Sequence, residues 1–291
     1  METAANSTET EIYERLYNAL QQAAVDEQLL HNQKNEAEYH PTIIDSIRKL
    51  DKATGTELPE YMGKVMPDIV LVEEYAHMLQ IELQHLLEPM QKQLSSDAAL
   101  LSRQFMSHAP EIYDALTKDA EALYQGDPAA TGLYEVIRAY PGFAAIAFYR
   151  VAHTLHNLNI PLLPRMITEQ AHSRTGIDIH PAAVIAPYFC MDHGTGIVIG
   201  ETTVIGAHVK IYQGVTLGAL SVEKDMARSK RHPTIEDHVV IYAGATILGG
   251  DTVVGHHSII GGNVWLIKST APNSRVYYKA DGSINFIENS Y

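Results

Sequence analysis

Among the 15 histidines of this 291-residue chain, His193 has the surroundings that chemistry would need. It lies in Met191–Asp192–His193–Gly194–Thr195–Gly196, where two glycines keep bulk away from the ring. An imidazole titrates near neutrality. Placed this way it can act as a general base; a plain surface histidine would read the same. Asp178 fits a capped turn before a strand as well as a carboxylate partner for an imidazole. Lys230–Arg231–His232 is a basic triplet, either solvated or aimed at an anion. Asp127–Pro128 has the form of a helix N-cap with proline at the first helical position. Cys190, the only cysteine, adjoins Met191–Asp192–His193, but a small apolar residue is ordinary in a packed coil. The histidines at 193, 208, 238, 256 and 257 show no metal-ligand spacing, so no metal is expected.

The elements that must position these residues have their own periodicity. After Thr175 apolar residues fall every six positions, at Ile179, Ile185 and Met191. The series resumes, shifted by two, at Ile199, Ile205, Ile211 and Leu217. It continues through Ile235, Ile241, Ile247, Val253, Ile259 and Trp265. A period of six is neither that of a helix nor that of a simple strand. It predicts a parallel β-solenoid with three short strands per coil, one inward residue on each side, and coils about 4.8 Å apart. Between Gly218 and Pro233 the beat stops in a polar, charged stretch that reads as a loop extruded from the solenoid, where function commonly sits. Asp178 and His193 are separated by close to one coil of about eighteen residues, which predicts that neighbouring coils bring them near each other.

Before Thr175 the spacing is helical, with helices expected over Glu11–Gln33, Ile69–Leu94, Asp97–Tyr124 and Pro141–Asn157. The last has an apolar body that predicts burial against another domain or subunit. The expected organisation is an α+β chain: a helical N-terminal domain over 1–175, a β-helix over 176–268 with its loop at 218–233, and a C-terminal tail over 269–291.

Composition removes other classes. A net charge of −14 disfavours nucleic acid and anionic membranes. One cysteine fits a reducing compartment. The first residues, METAANSTETE, lack a basic region followed by an apolar stretch, and no apolar run reaches the length of a membrane span. A soluble, cytoplasmic protein is expected.

The repeats resemble those of the hexapeptide acyltransferases, whose β-helix is left-handed. Within that superfamily the local motifs look like serine O-acetyltransferase. They are Asp127–Pro128–Ala129, YPGFAAIAFYRVAH (140–153), DIHPAA (178–183), MDHGTGIVIGET (191–202), GVTLG (214–218) and the loop-ending Arg231–His232–Pro233. Ala219 stands where that family commonly has glycine. The resemblance implies attack of the L-serine hydroxyl on the thioester of acetyl-CoA, giving O-acetyl-L-serine, the first step of cysteine biosynthesis. It implies His193 as base, Asp178 orienting its ring, and His232 bonding the substrate and the developing oxyanion. Arg231 would pair with the serine carboxylate, and Asp127 and Asp192 would receive its ammonium.

In relatives CoA lies along a groove between adjacent solenoids. Ala219 and Ala243 match contact positions, and Lys230, Lys268, Arg275 and Lys279 are cations available to its phosphates. The resemblance also implies inhibition by L-cysteine at the serine site and a homotrimer or dimer of trimers with the site shared between chains. A complex with O-acetylserine sulfhydrylase by an inserted C-terminal isoleucine is not expected, since the chain ends Asn289–Ser290–Tyr291. The alternative is a hexapeptide acetyltransferase acting on a sugar or another small hydroxyl acceptor. A γ-type carbonic anhydrase on the same solenoid would need three zinc-binding histidines.

Overall fold

A computed structural model describes residues 69–220, 229–278 and 284–288. The expected helix over Glu11–Gln33, the middle of the extruded loop, Lys279 and the last three residues lie outside the described residues. Two compact units meet at Asp114 and Ala115.

In the first unit, helix α1 (Ile69–Leu87) packs on α2 (Ala98–Ser107). The helix expected to reach Leu94 stops at Leu87. Pro89 lacks an amide hydrogen, and the chain tightens into a 3-10 turn over Glu88–Gln93. Asp97 then caps α2, its carboxylate accepting the amides of Ala99 (2.9 Å) and Leu100 (3.3 Å). The helix expected over Asp97–Tyr124 is two, α2 and α3 (Ala109–Gly126), because Pro110 fits only in a first turn.

The second unit holds α4 (Leu133–Ala139), α5 (Pro141–Asn157) and α6 (Leu163–Thr175), followed by the solenoid. Helix α5 has the expected bounds. Its Ala145, Ile146 and Tyr149 join the solenoid core, and the Tyr149 hydroxyl donates to the Ala183 carbonyl at 2.5 Å. Its one charge, Arg150, is buried but satisfied: it bonds Asp119 at 3.0 and 3.1 Å and the carbonyls of Ile185 and Ala186. Helix α6 ends where Gly176 turns left-handed at φ 69°.

From Asp178 the chain winds through short strands β1 (Asp178–Ile179), β2 (Val184–Ile185), β3 (Cys190–Asp192), β4 (Val198–Ile199), β5 (Val204–Ile205), β6 (Lys210–Tyr212) and β7 (Thr216–Gly218). It resumes with β8 (Thr234–Ile235), β9 (Val240–Ile241), β10 (Thr246–Leu248), β11 (Val253–Val254), β12 (Ile259–Ile260), β13 (Trp265–Leu266), β14 (Ser274–Tyr278) and β15 (Ile284–Glu288). Up to β13 every third strand pairs in parallel, and β14 then pairs with β12, giving three sheets: β1-β4-β7-β10-β13, β2-β5-β8-β11, and β3-β6-β9-β12-β14 with β15 added antiparallel. This is a left-handed parallel β-helix of about 5 turns. The core is three apolar columns, such as Ile179–Ile199–Leu217–Ile247–Leu266 along the first sheet. Although the chain leaves at Gly218 and returns at Thr234, Ile205 still stacks on Ile235 and Leu217 on Ile247.

The six-residue count fails at its end. Val254, Ile260 and Leu266 face inward, not Val253, Ile259 and Trp265 as expected, and Trp265 is exposed. The Gly249–Gly250 corner, with Gly249 at φ 102°, inserts one residue and advances the phase. A left-handed corner recurs once per coil at His208, His238 and His257. Their rings stack on one another and on Tyr188 at 4.3–4.8 Å. These three histidines thus have a structural place.

Candidate functional site

His193 occupies the corner between β3 and β4 in the left-handed conformation, φ 59°. Its side chain is 72% exposed, so its ring is open to a reactant. Gly194 follows at φ 83°, where a Cβ would meet Ile177 at 2.5 Å. Nε2 of His193 lies 3.8 Å from Asp192, whose carboxylate is mostly buried and accepts from Lys210 Nζ at 2.8 Å. Helix α5 can come this close because Gly142 has no side chain: a Cβ there would meet the Met191 carbonyl at 2.5 Å.

Asp127 joins this corner from the turn that ends α3. Its Oδ2 accepts from the Tyr140 hydroxyl at 2.5 Å and its Oδ1 from the Ala129 amide at 2.8 Å. It caps a turn rather than a helix, because α4 starts later, at Leu133. The Tyr140 hydroxyl, then the Ala129 amide, hold the Asp127 carboxyl below the usual carboxylate range, with Lys210 and His193 assisting through space. The same bond pushes the Tyr140 phenol up to about 12. Asp127, Asp192 and His193 therefore form one group.

Asp178 starts β1, 3.8 Å from Arg165, which also pairs with Glu169. No hydrogen bond or ion pair joins Asp178 to His193 among the described residues. Glu169, His172 and Asp178 have donor atoms within 4.8 Å of one another, but the Arg165 guanidinium already serves both carboxylates and opposes a cation there.

Arg231 and His232 gather at the other end of β4. Thr202 Oγ1 accepts both of their amides, at 2.9 and 3.0 Å. The Thr202 amide in turn donates to Nδ1 of His232 at 3.1 Å. A backbone amide can only donate, so Nδ1 is an acceptor and the neutral ring carries its proton on Nε2. Burial, then the neighbouring Arg231 charge, push the imidazole of His232 down to about 4. His232 is therefore a neutral, fixed N–H donor at neutral pH. Its ring lies over Gly200, where a Cβ would meet it at 2.1 Å. The Arg231 guanidinium bonds Glu201. Burial raises the Glu201 carboxyl, but that bond outweighs it and holds the group ionised.

Of the expected CoA contacts, Ala219 follows β7 and Ala243 follows β9, both partly buried. Lys268 is exposed after β13. Lys230 is exposed, its Nζ donating to the carbonyls of Thr202 (2.5 Å) and Pro233 (3.3 Å). Burial pushes the Cys190 thiol up to about 12, so no thiolate competes as nucleophile.

Sequence reasoning missed Lys210, Tyr140, Glu201 and Thr202. The coil register was the available signal for Lys210. It pairs Asp192 with Tyr212, so Lys210 points outward two residues away on the adjacent strand.

No family profile matches the chain. A serine acetyltransferase, plasmid, of Synechococcus elongatus is 52% identical over 198 residues, which cover 66% of this chain and 62% of that protein. The chain thus spans less than two thirds of that relative's length. A serine acetyltransferase of Helicobacter pylori is 43% identical over 159 residues, covering 55% of this chain and 90% of its own. Serine acetyltransferase 1 of Entamoeba histolytica, solved with L-cysteine, matches with a TM-score of 0.64 at 31% identity, over 90% of this chain and 99% of its own. A serine acetyltransferase solved with CoA matches with a TM-score of 0.57 at 28% identity, over 84% and 98%.

Proposed function

The chain belongs to the serine acetyltransferase family, and on that premise we propose that it moves the acetyl group of acetyl-CoA to the hydroxyl of L-serine. The observation that carries this reading is the exposed imidazole of His193 beside the carboxylates of Asp127 and Asp192. His193 takes the proton as the serine oxygen attacks the thioester carbon. The C–O bond forms, the C–S bond breaks, and the proton passes from His193 to the departing thiolate, giving O-acetyl-L-serine and CoA. Asp178 orients the His193 ring once the Arg165 contact yields. Asp127 and Asp192 hold the ammonium. Arg231 meets the carboxylate, for which its guanidinium fork is well shaped. The Nε2–H of His232 is aimed at the developing oxyanion. The CoA arm runs past Ala219 and Ala243, with Lys230 and Lys268 as candidate phosphate partners.

The two histidines sit at opposite ends of β4, and no hydrogen bond or ion pair joins them among the described residues. A site that uses both takes one from each of two chains, in a homotrimer or a dimer of trimers. L-cysteine, bound by the Entamoeba relative, acts here as an inhibitor competing with serine. No helix among the described residues is long and apolar enough to cross a membrane, which accords with a cytoplasmic role.

The test is release of CoA from acetyl-CoA with L-serine, with N-acetylatable sugars and homoserine in parallel. Serine-dependent release, lost in His193→Ala, is the expected result. Release with another hydroxyl acceptor but not with serine overturns the substrate.

A further inference from the structure

Lys210 has no part in the reaction just described, yet it touches both halves of the ammonium site. It points outward from β6, and its side chain is only 18% exposed. Its Nζ donates to Asp192 Oδ2 at 2.8 Å and to the Gly126 carbonyl at 2.6 Å. It also lies 4.5 Å from the centre of the Tyr212 ring. Gly126 is the last residue of α3 and immediately precedes Asp127. An ammonium has three donors, and here two of them link one carboxylate of the pair to the residue before the other. Asp127 itself is held on its far side by Tyr140 and Ala129. Burial lowers the Lys210 ammonium, but the hydrogen bonds to the Asp192 carboxylate and the Tyr212 side chain outweigh it and keep the group charged. Without that cation, two carboxylates sharing one corner repel each other and move apart.

We propose that Lys210 is the positioning residue that ties Asp192 to the Gly126–Asp127 turn and so presets the site for the serine amino group. This rests on the reading under Proposed function. A shorter or uncharged side chain leaves the Asp127 turn without its tether to the solenoid and Asp192 without its ion pair.

The test compares the unaltered full chain with Lys210→Met, Lys210→Gln and Lys210→Arg in the CoA-release assay. Folding of each is checked by circular dichroism. The KM for L-serine is set against the inhibition constant of 3-hydroxypropanoate, which is serine without its amino group. Lys210→Met and Lys210→Gln are expected to raise the serine KM about tenfold, the order of one lost charge-assisted hydrogen bond. The 3-hydroxypropanoate constant and the acetyl-CoA KM stay within about twofold. Lys210→Arg, which keeps charge and reach, restores most of the serine KM. A merely structural lysine would weaken serine and 3-hydroxypropanoate alike, and that result overturns the proposal. So does an unchanged or lowered serine KM in Lys210→Gln, which retains a hydrogen-bonding head and serves if the methionine variant does not fold. Absence of serine-dependent release by the unaltered chain overturns the underlying reading instead.

Discussion

Strand β4 is two residues long, and the corners at its ends treat a histidine in opposite ways. At the first corner His193 stands exposed, with its nearest charged partner, Asp192, 3.8 Å away. At the second, His232 is buried, its Nδ1 is committed to Thr202, and its proton affinity is depressed. An accessible imidazole without a fixed tautomer can take and return a proton. One whose Nδ1 already accepts an amide and whose proton affinity is depressed is a poor base, yet its Nε2–H is well suited to hold a negative oxygen. In the proposed reaction, environment and not residue type divides the work between them.

The contrast is broken most severely by substitution at the open corner. Replacing His193 by Gln, which cannot take up a proton, is expected to lower kcat by about 10³-fold with the acetyl-CoA KM little changed. His232→Asn retains a donor and should cost less, about tenfold to a hundredfold; equal losses in steady-state kinetics would erase the distinction. Mixing His193→Ala with His232→Ala, after dissociation and reassembly, should recover activity that neither has alone, because some hetero-assemblies contain an intact pair. No recovery would place both histidines in a site of one chain.

Smaller effects sharpen the picture. Thr202→Val removes the hydroxyl that accepts the Arg231 and His232 amides, and should cost about 1–3 kcal/mol in denaturant unfolding. It should also lower kcat more than it raises the acetyl-CoA KM. The least is expected from pH. His232 binds its proton less well folded than unfolded, so between about pH 6.5 and 4 the unfolded chain takes up a proton that the folded chain refuses. Stability is therefore undiminished above that window and falls as pH drops through it. Thermal melts of His232→Asn should have a shallower slope there than the unaltered chain.

The solenoid was legible because burial repeats with the coil, from Ile179 to Ile247. It ceased to be legible at Gly249–Gly250, where one added corner residue changes which of two adjacent apolar residues faces inward. Val253–Val254 and Ile259–Ile260 offer no chemical basis for choosing. The break between α2 and α3 was missed for a similar reason: the apolar spacing runs on past Pro110, and only the first-turn preference of proline marks the boundary. In the candidate site, His193, Asp192 and Asp127, which the structure groups together, were marked in the sequence by their motifs. Lys210 and Thr202 were not, because each acts through the neighbouring coil, across a sequence distance that only register supplies.

The chain leaves the coil at Gly218 and re-enters at Thr234 without disturbing the stacking above or below. A detour of that kind changes length without changing pitch. Doubling it would add only about 0.6 kcal/mol of closure entropy, while the columns beneath remain bound to their register. Insertions and deletions are thus tolerated at this corner and penalised almost everywhere else in the solenoid. The loop before Lys230 can be lengthened or shortened by evolution or by a designer while Arg231 and His232, held by Thr202, and the His193 corner stay in place.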